Sequence, residues 1–135
     1  MKSFLTPLLT IQTPGGSVKH AMKQTDPGFF GFGEAYISTV KNGATKGWKR
    51  HTRMTCNLVV VSGLVKFVVQ ESKGNFCEYI IGDSNYARLT VPAGLWFAFK
   101  GVAETDSLVL NISNQPHDPE EAKTKPLEKI SCEWV

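Results

Sequence analysis

Residues 45–63, TKGWKRHTRMTCNLVVVSG, decide how this chain is to be read. The segment passes from a basic, aromatic, histidine-bearing stretch into the apolar run of residues 58–61 and stops at Ser62 and Gly63. β-Branched residues crowd the preceding turn of a helix but pack well on a pleated surface, so the run predicts a strand. The Ser-Gly pair, with LVKFVVQ beyond it, predicts a tight hairpin. If the basic stretch is also extended, residues two apart share a face. Lys49 and His51 then point to one side and Arg50 to the other, with Arg53 joining the first pair if the strand runs on. An inward lysine is costly unless it meets water or an anion, so this face predicts a ligand cavity rather than a dry core.

The same pattern extends outward in both directions. EAYISTV, FCEYIIG, ARLTVP, LWFAFKG and SLVLNIS are all of strand length, and SKGN (72–75) and GDSN (82–85) read as turns between such runs. Helical periodicity is confined to DPEEAKTKPLEK. There Asp118 is placed to cap, Pro119 to open the helix and Glu120 and Glu121 to favour its positive end, with Pro126 closing it. With no repeat or linker, the 135 residues predict one all-β domain, a sandwich or small barrel, with at most a short helix near the C-terminus.

Composition narrows the function classes. A net charge of +3 without a concentrated basic stripe excludes a nucleic-acid footprint and leaves room for a small anionic ligand. No run approaches the roughly 20 apolar residues of a membrane span. The three cysteines form no CxxC pair and are read as reduced thiols of a cytoplasmic protein. MKSFLTPLLTIQT, interrupted by Pro7, is read as an ordered or swapped strand rather than a signal peptide, within an N-terminal arm of residues 1–25.

The residues resemble the cupin superfamily of jelly-roll barrels. Gly43, Lys49, His51, Cys56 and Gly63 fall at the spacing of its first motif, G-x5-H-x-H-x4-E-x6-G, and PAGLWFAFKG (92–101) falls on the second. Most metal-ligand positions of those motifs are exchanged: Lys49 for the first histidine, Cys56 for the glutamate and Phe97 for the last histidine. His51 alone remains. One imidazole and one thiol cannot enclose a divalent ion that wants at least three protein ligands, so neither a metal nor another cofactor is expected. Within the superfamily the chain resembles the dTDP-4-dehydrorhamnose 3,5-epimerases. The resemblance rests on DPGFF (26–30), AYISTVKNGATKGWKRH (35–51), VPAGLWFAFKG (91–101) and NQPHDPEEAKTKPLEKISCEW (114–134).

That resemblance implies an epimerase-like cupin acting on a nucleoside-diphosphate keto-sugar for surface polysaccharide synthesis, as a homodimer joined through the N-terminal arm. It implies roles residue by residue. Lys49 stands where the family has its histidine base, His117 is the nearest counterpart of its tyrosine acid, and Lys46 replaces a phosphate-contacting arginine. Arg53 would meet phosphate, and Trp96 and Phe97 would line the substrate pocket. The sugar-nucleotide 3,4-ketoisomerases, which the chain also resembles, carry an H-x-H pair whose second member matches His51 and a tyrosine one strand earlier, here Tyr36. His51 titrates near neutrality by default and is the better-poised proton carrier. A catalytically silent cupin that binds a sugar nucleotide or a partner protein is the alternative, since the epimerase base and acid are both exchanged. His51 in that case would only satisfy neighbouring polar groups.

Overall fold

The computed structural model describes residues 1–130 and 132. Alternation sets the strands. In β7 (Leu64–Ser72), Val65, Phe67 and Val69 point inward and are fully buried. Burial of a side chain of this size stabilises by about 1.5–3 kcal/mol. They meet Cys56, Leu58 and Val60 of β6 (Cys56–Ser62) and Leu89 and Val91 of β9 (Ala87–Val91) in one apolar layer.

Two five-stranded antiparallel sheets enclose that layer. One has the order β1-β9-β6-β11-β4, with β1 Phe4–Pro7, β4 Glu34–Val40 and β11 Ser107–Ser113. The other has the order β12-β5-β10-β7-β8, with β5 Thr45–His51, β8 Asn75–Gly82, β10 Trp96–Gly101 and β12 Ala122–Thr124. This is the expected all-β cupin-type sandwich. Among the described residues no helix is long and apolar enough to cross a membrane.

Two local expectations change. Ser62 and Gly63 do not close a hairpin, because β6 and β7 lie in different sheets and the pair turns the corner between them. Gly63 has a φ of 95°, and a Cβ there would lie 2.2 Å from Ser107 Oγ, so only glycine fits the corner. SKGN does form the β7–β8 hairpin, whereas GDSN crosses between sheets. The expected helix after Asp118 stops at one turn. Asp118 accepts the Glu120 N–H as a cap would, but residues 122–124 then pair with the edge of β5, which satisfies more backbone than a two-turn helix ended by Pro126. A single 3-10 turn follows at Leu127–Lys129.

The N-terminus is an ordered strand of its own sheet, since β1 pairs with β9 over Phe4–Pro7. Beyond it β2 (Thr10–Thr13) and β3 (Gly16–Lys19) form a separate two-stranded ribbon. DPGFF lies across the outer face of the first sheet, where the fully buried Arg88 donates to Pro27 O at 2.8 Å and Ala21 O at 2.7 Å. The outer face of the second sheet is covered by the C-terminal segment, with Trp48, Val68, Ala98 and Ile130 in a second apolar cluster. Trp134 lies outside the described residues.

The corner at Gly63 can be tested against an open glycine. Gly63→Ala is expected to destabilise by more than Gly74→Ala, which should show only the cost of about 1–2 kcal/mol for a left-handed residue. Gly74 has a φ of 80° but nothing within 4 Å of an added Cβ. Denaturant unfolding of the two variants measures the difference, and equal losses would remove the steric argument.

Candidate active site

Strand β5 does not alternate simply. Phe97 pairs with Lys49, yet Phe99 pairs with Lys46, so three steps on β5 oppose two on β10. This β-bulge holds Gly47 and Trp48 opposite Ala98. A Cβ on Gly47 would lie 2.4 Å from Ala98 Cβ, which is why the bulge needs glycine. Trp48 turns to the outer cluster, and Lys46, Lys49 and His51 all come to line the same cavity.

The cavity, of about 230 Å³, lies between the sheets. Lys46, Lys49 and His51 with Phe97 and Phe99 form one wall; Tyr36 and Ser38 of β4, Cys56 of β6 and Asn111 of β11 form the other. The two lysines are exposed, and Lys46 Nζ donates to Thr39 O at 2.8 Å. His51 is buried and stacks near the Phe97 ring, centroids 6.3 Å apart. The Tyr36 hydroxyl accepts a hydrogen bond from Asn111 Nδ2 at 2.9 Å. Burial raises the Tyr36 phenol above its usual range, against the lowering effect of the Asn111 bond.

The residue that sequence reasoning missed is Glu121. Its Oε1 lies 2.6 Å from His51 Nδ1, and its Oε2 accepts the backbone N–H groups of Arg53 at 2.7 Å and Met54 at 2.8 Å. Burial pushes this carboxyl upward, but Arg53 N–H, the His51 ring and Met54 N–H together outweigh it and bring it to about 2. Glu121 is therefore an acceptor, which puts the proton on His51 Nδ1 and leaves Nε2 with a free lone pair. No periodicity marked this glutamate. It reaches His51 because β12 pairs Ala122 with His51.

Three expected site residues lie elsewhere. Strand β5 ends at His51, so Arg53 turns outward and pairs with Asp118 at 3.4 Å, 58% exposed. Trp96 faces the outer surface, with Lys125 4.6 Å and Arg50 5.2 Å from its ring centroid. His117 is exposed, and its backbone N–H donates to Glu34 Oε1 at 2.7 Å.

The donor set does not suit the metal that cupins often hold. His51 offers a single nitrogen, Nε2, and burial pushes the Cys56 thiol up to about 12, so it stays protonated and adds no thiolate. Among the described residues no three of His, Cys, Asp or Glu group as a cation site would require.

Because the folded Glu121 carboxyl sits at about 2 rather than 4.5, it adds stability that is complete above pH 5 and is lost as pH falls through that window. The difference in unfolding free energy between the wild type and Glu121→Gln is expected to be about 3 kcal/mol near neutrality and to shrink steadily towards pH 2. Urea titrations across this range measure it, and a pH-independent difference would contradict the assignment.

Comparison with known proteins places this geometry. The family model FdtA, WxcM-like, C-terminal, matches residues 2–125. A dTDP sugar isomerase from Desulfovibrio desulfuricans is 31% identical, with a TM-score of 0.90 over 98% of this chain and 90% of that one. QdtA, a sugar 3,4-ketoisomerase from Thermoanaerobacterium thermosaccharolyticum, is 16% identical, with a TM-score of 0.79 over 96% of this chain and 91% of its own. The RmlC epimerase of Mycobacterium tuberculosis is 17% identical, with a TM-score of 0.82 over 98% and 74%. These last two likenesses concern the fold. No curated protein matches the chain. The chain belongs to the FdtA, WxcM-like C-terminal family.

Proposed function

We propose that the chain isomerises a dTDP-linked 4-keto-6-deoxy sugar, moving the carbonyl from C4 to C3. The observation that carries this is the His51–Glu121 hydrogen bond on the cavity wall: it gives the pocket an oriented imidazole with Nε2 free. The 31%-identical dTDP sugar isomerase supports the substrate class.

Size and charge divide the substrate. The cavity of about 230 Å³ is smaller than the roughly 300–1,000 Å³ clefts that take drug-sized ligands, so the hexose enters and the nucleotide stays at the mouth. Lys46 and Lys49 stand there to meet the diphosphate.

His51 Nε2 removes the proton from C3, and the electron pair forms the C3=C4 bond as charge passes to O4. Tyr36 donates its phenolic proton to O4 and then takes the proton from O3. The new carbonyl forms at C3, and the His51 imidazolium, after exchanging its proton with solvent, protonates C4. One base suffices because the proton leaves and arrives on the same face of the ring.

A 3,5-epimerase is the second reading, favoured by one observation: Tyr36 and His51 belong to different sheets and face the cavity from opposite walls. Turnover of dTDP-4-keto-6-deoxyglucose in heavy water distinguishes the two. Ketoisomerisation gives a 3-keto product with deuterium at C4, whereas epimerisation keeps the 4-ketone and labels C3 and C5. Binding without exchange would leave the silent reading. His51→Asn is expected to lower kcat by roughly 10²–10⁴-fold while dTDP binding persists.

We also propose a homodimer that uses the N-terminal arm. In its support, Leu9, Ile11 and Val18 on and beside the β2–β3 ribbon are 59%, 43% and 51% exposed, an apolar surface suited to a second copy. Sedimentation should give a dimer, and a dimer unaffected by deletion of residues 9–20 would refute the arm's part in it.

A further inference from the structure

Asn111 makes no obvious contribution to proton transfer, yet it is 4% exposed and all of its amide is in use. Its Oδ1 accepts the backbone N–H of Asn57 at 3.1 Å. A backbone N–H can face only the oxygen end of an amide, so this bond fixes which way the group points. The nitrogen end therefore faces the cavity wall and donates to Tyr36 Oη at 2.9 Å and to Cys56 Sγ at 3.5 Å. The Cys56 thiol, protonated in its buried setting, does not compete for that role.

This arrangement constrains the phenol. Tyr36 Oη accepts a hydrogen bond from Asn111 Nδ2, and the Asn111 oxygen, which faces the Asn57 N–H, does not accept one from Tyr36 in return. Among the described residues the Tyr36 hydroxyl has no other hydrogen-bond partner, and the side chain lines the cavity. We infer that Asn111 is a positioning residue that leaves the Tyr36 hydroxyl proton free and aims it as a hydrogen-bond donor at an acceptor oxygen of the ligand. This rests on the reading above, in which Tyr36 serves O4.

Asn111→Asp tests it, because the substitution keeps the shape and the acceptor for Asn57 N–H while reversing polarity towards Tyr36. An ionised carboxylate would draw the phenolic proton to itself; a protonated carboxyl can donate as the amide does. The titratable groups around the pair are Glu34 on β4, Lys46, Lys49 and His51 on β5 and Cys56 on β6, with Glu121 behind His51.

At about pH 8, Asn111→Asp is expected to lower kcat by roughly tenfold or more with little change in KM. The ratio of variant to wild-type kcat should rise again as pH falls and the introduced carboxyl protonates. Tyr36→Phe should show the loss without the recovery, and the double variant should be no worse than Tyr36→Phe alone. Unchanged kcat, a pH-independent ratio or additive losses would each overturn the inference.

A wild type with no turnover would sink the functional reading instead. In that case tyrosine Cζ labelling, with Tyr36 assigned by Tyr36→Phe, follows the hydroxyl directly. Asn111→Asp should raise the Tyr36 titration midpoint by about one unit or more, and an unmoved midpoint would overturn the inference independently of catalysis.

Discussion

The chain leaves β5 at His51 and has no sheet partner until β6 begins at Cys56. Glu121 supplies what the sheet does not: its carboxylate takes the His51 ring and the Arg53 and Met54 N–H groups, and its carbonyl takes the Thr52 N–H and hydroxyl. A carboxylate only 1% exposed would be prohibitively costly without such partners. With them it is firmly ionised, and the same bonds set the histidine's tautomer, the path of the turn and the docking of β12. The site and its local fold thus depend on one charged group.

Around that group the two sheets divide the work. The second sheet brings the cations and the imidazole on β5, with Phe97 and Phe99 as their apolar floor. The first sheet brings neutral polar groups, Tyr36, Ser38 and Asn111, each set on a strand whose other face is packed or solvated. Charge on one wall and hydroxyl and amide groups on the other suit a ligand that changes its own charge distribution during reaction.

The sandwich and much of this wall were legible in the sequence because period-two patterning is local: β-branched runs between glycines gave the strands, and residues two apart gave Lys49 and His51. Tyr36 and Lys46 came from the family resemblance and do reach the cavity. The misreadings share a cause. Whether Ser62-Gly63 closes a hairpin or turns between sheets depends on which distant strands pair, and whether residues 122–124 continue a helix depends on an open edge at β5. Glu121 was hidden for the same reason, since its partners are about 70 positions away in the chain. Trp96 illustrates a subtler limit: it neighbours Phe97, and alternation sends only one of the two inward.

The bulge in β5 bears on how the pattern of the strand is read. Because one extra residue is accommodated at Gly47 and Trp48, the two lysines are three apart in the chain yet line the same cavity. A regular strand of the same length would send Lys46 to the opposite surface from Lys49, whereas deleting one residue at the bulge would keep both lysines on the cavity face. The bulge therefore decides which face of β5 carries Lys46, and a pattern that assumes strict alternation will place it on the wrong surface.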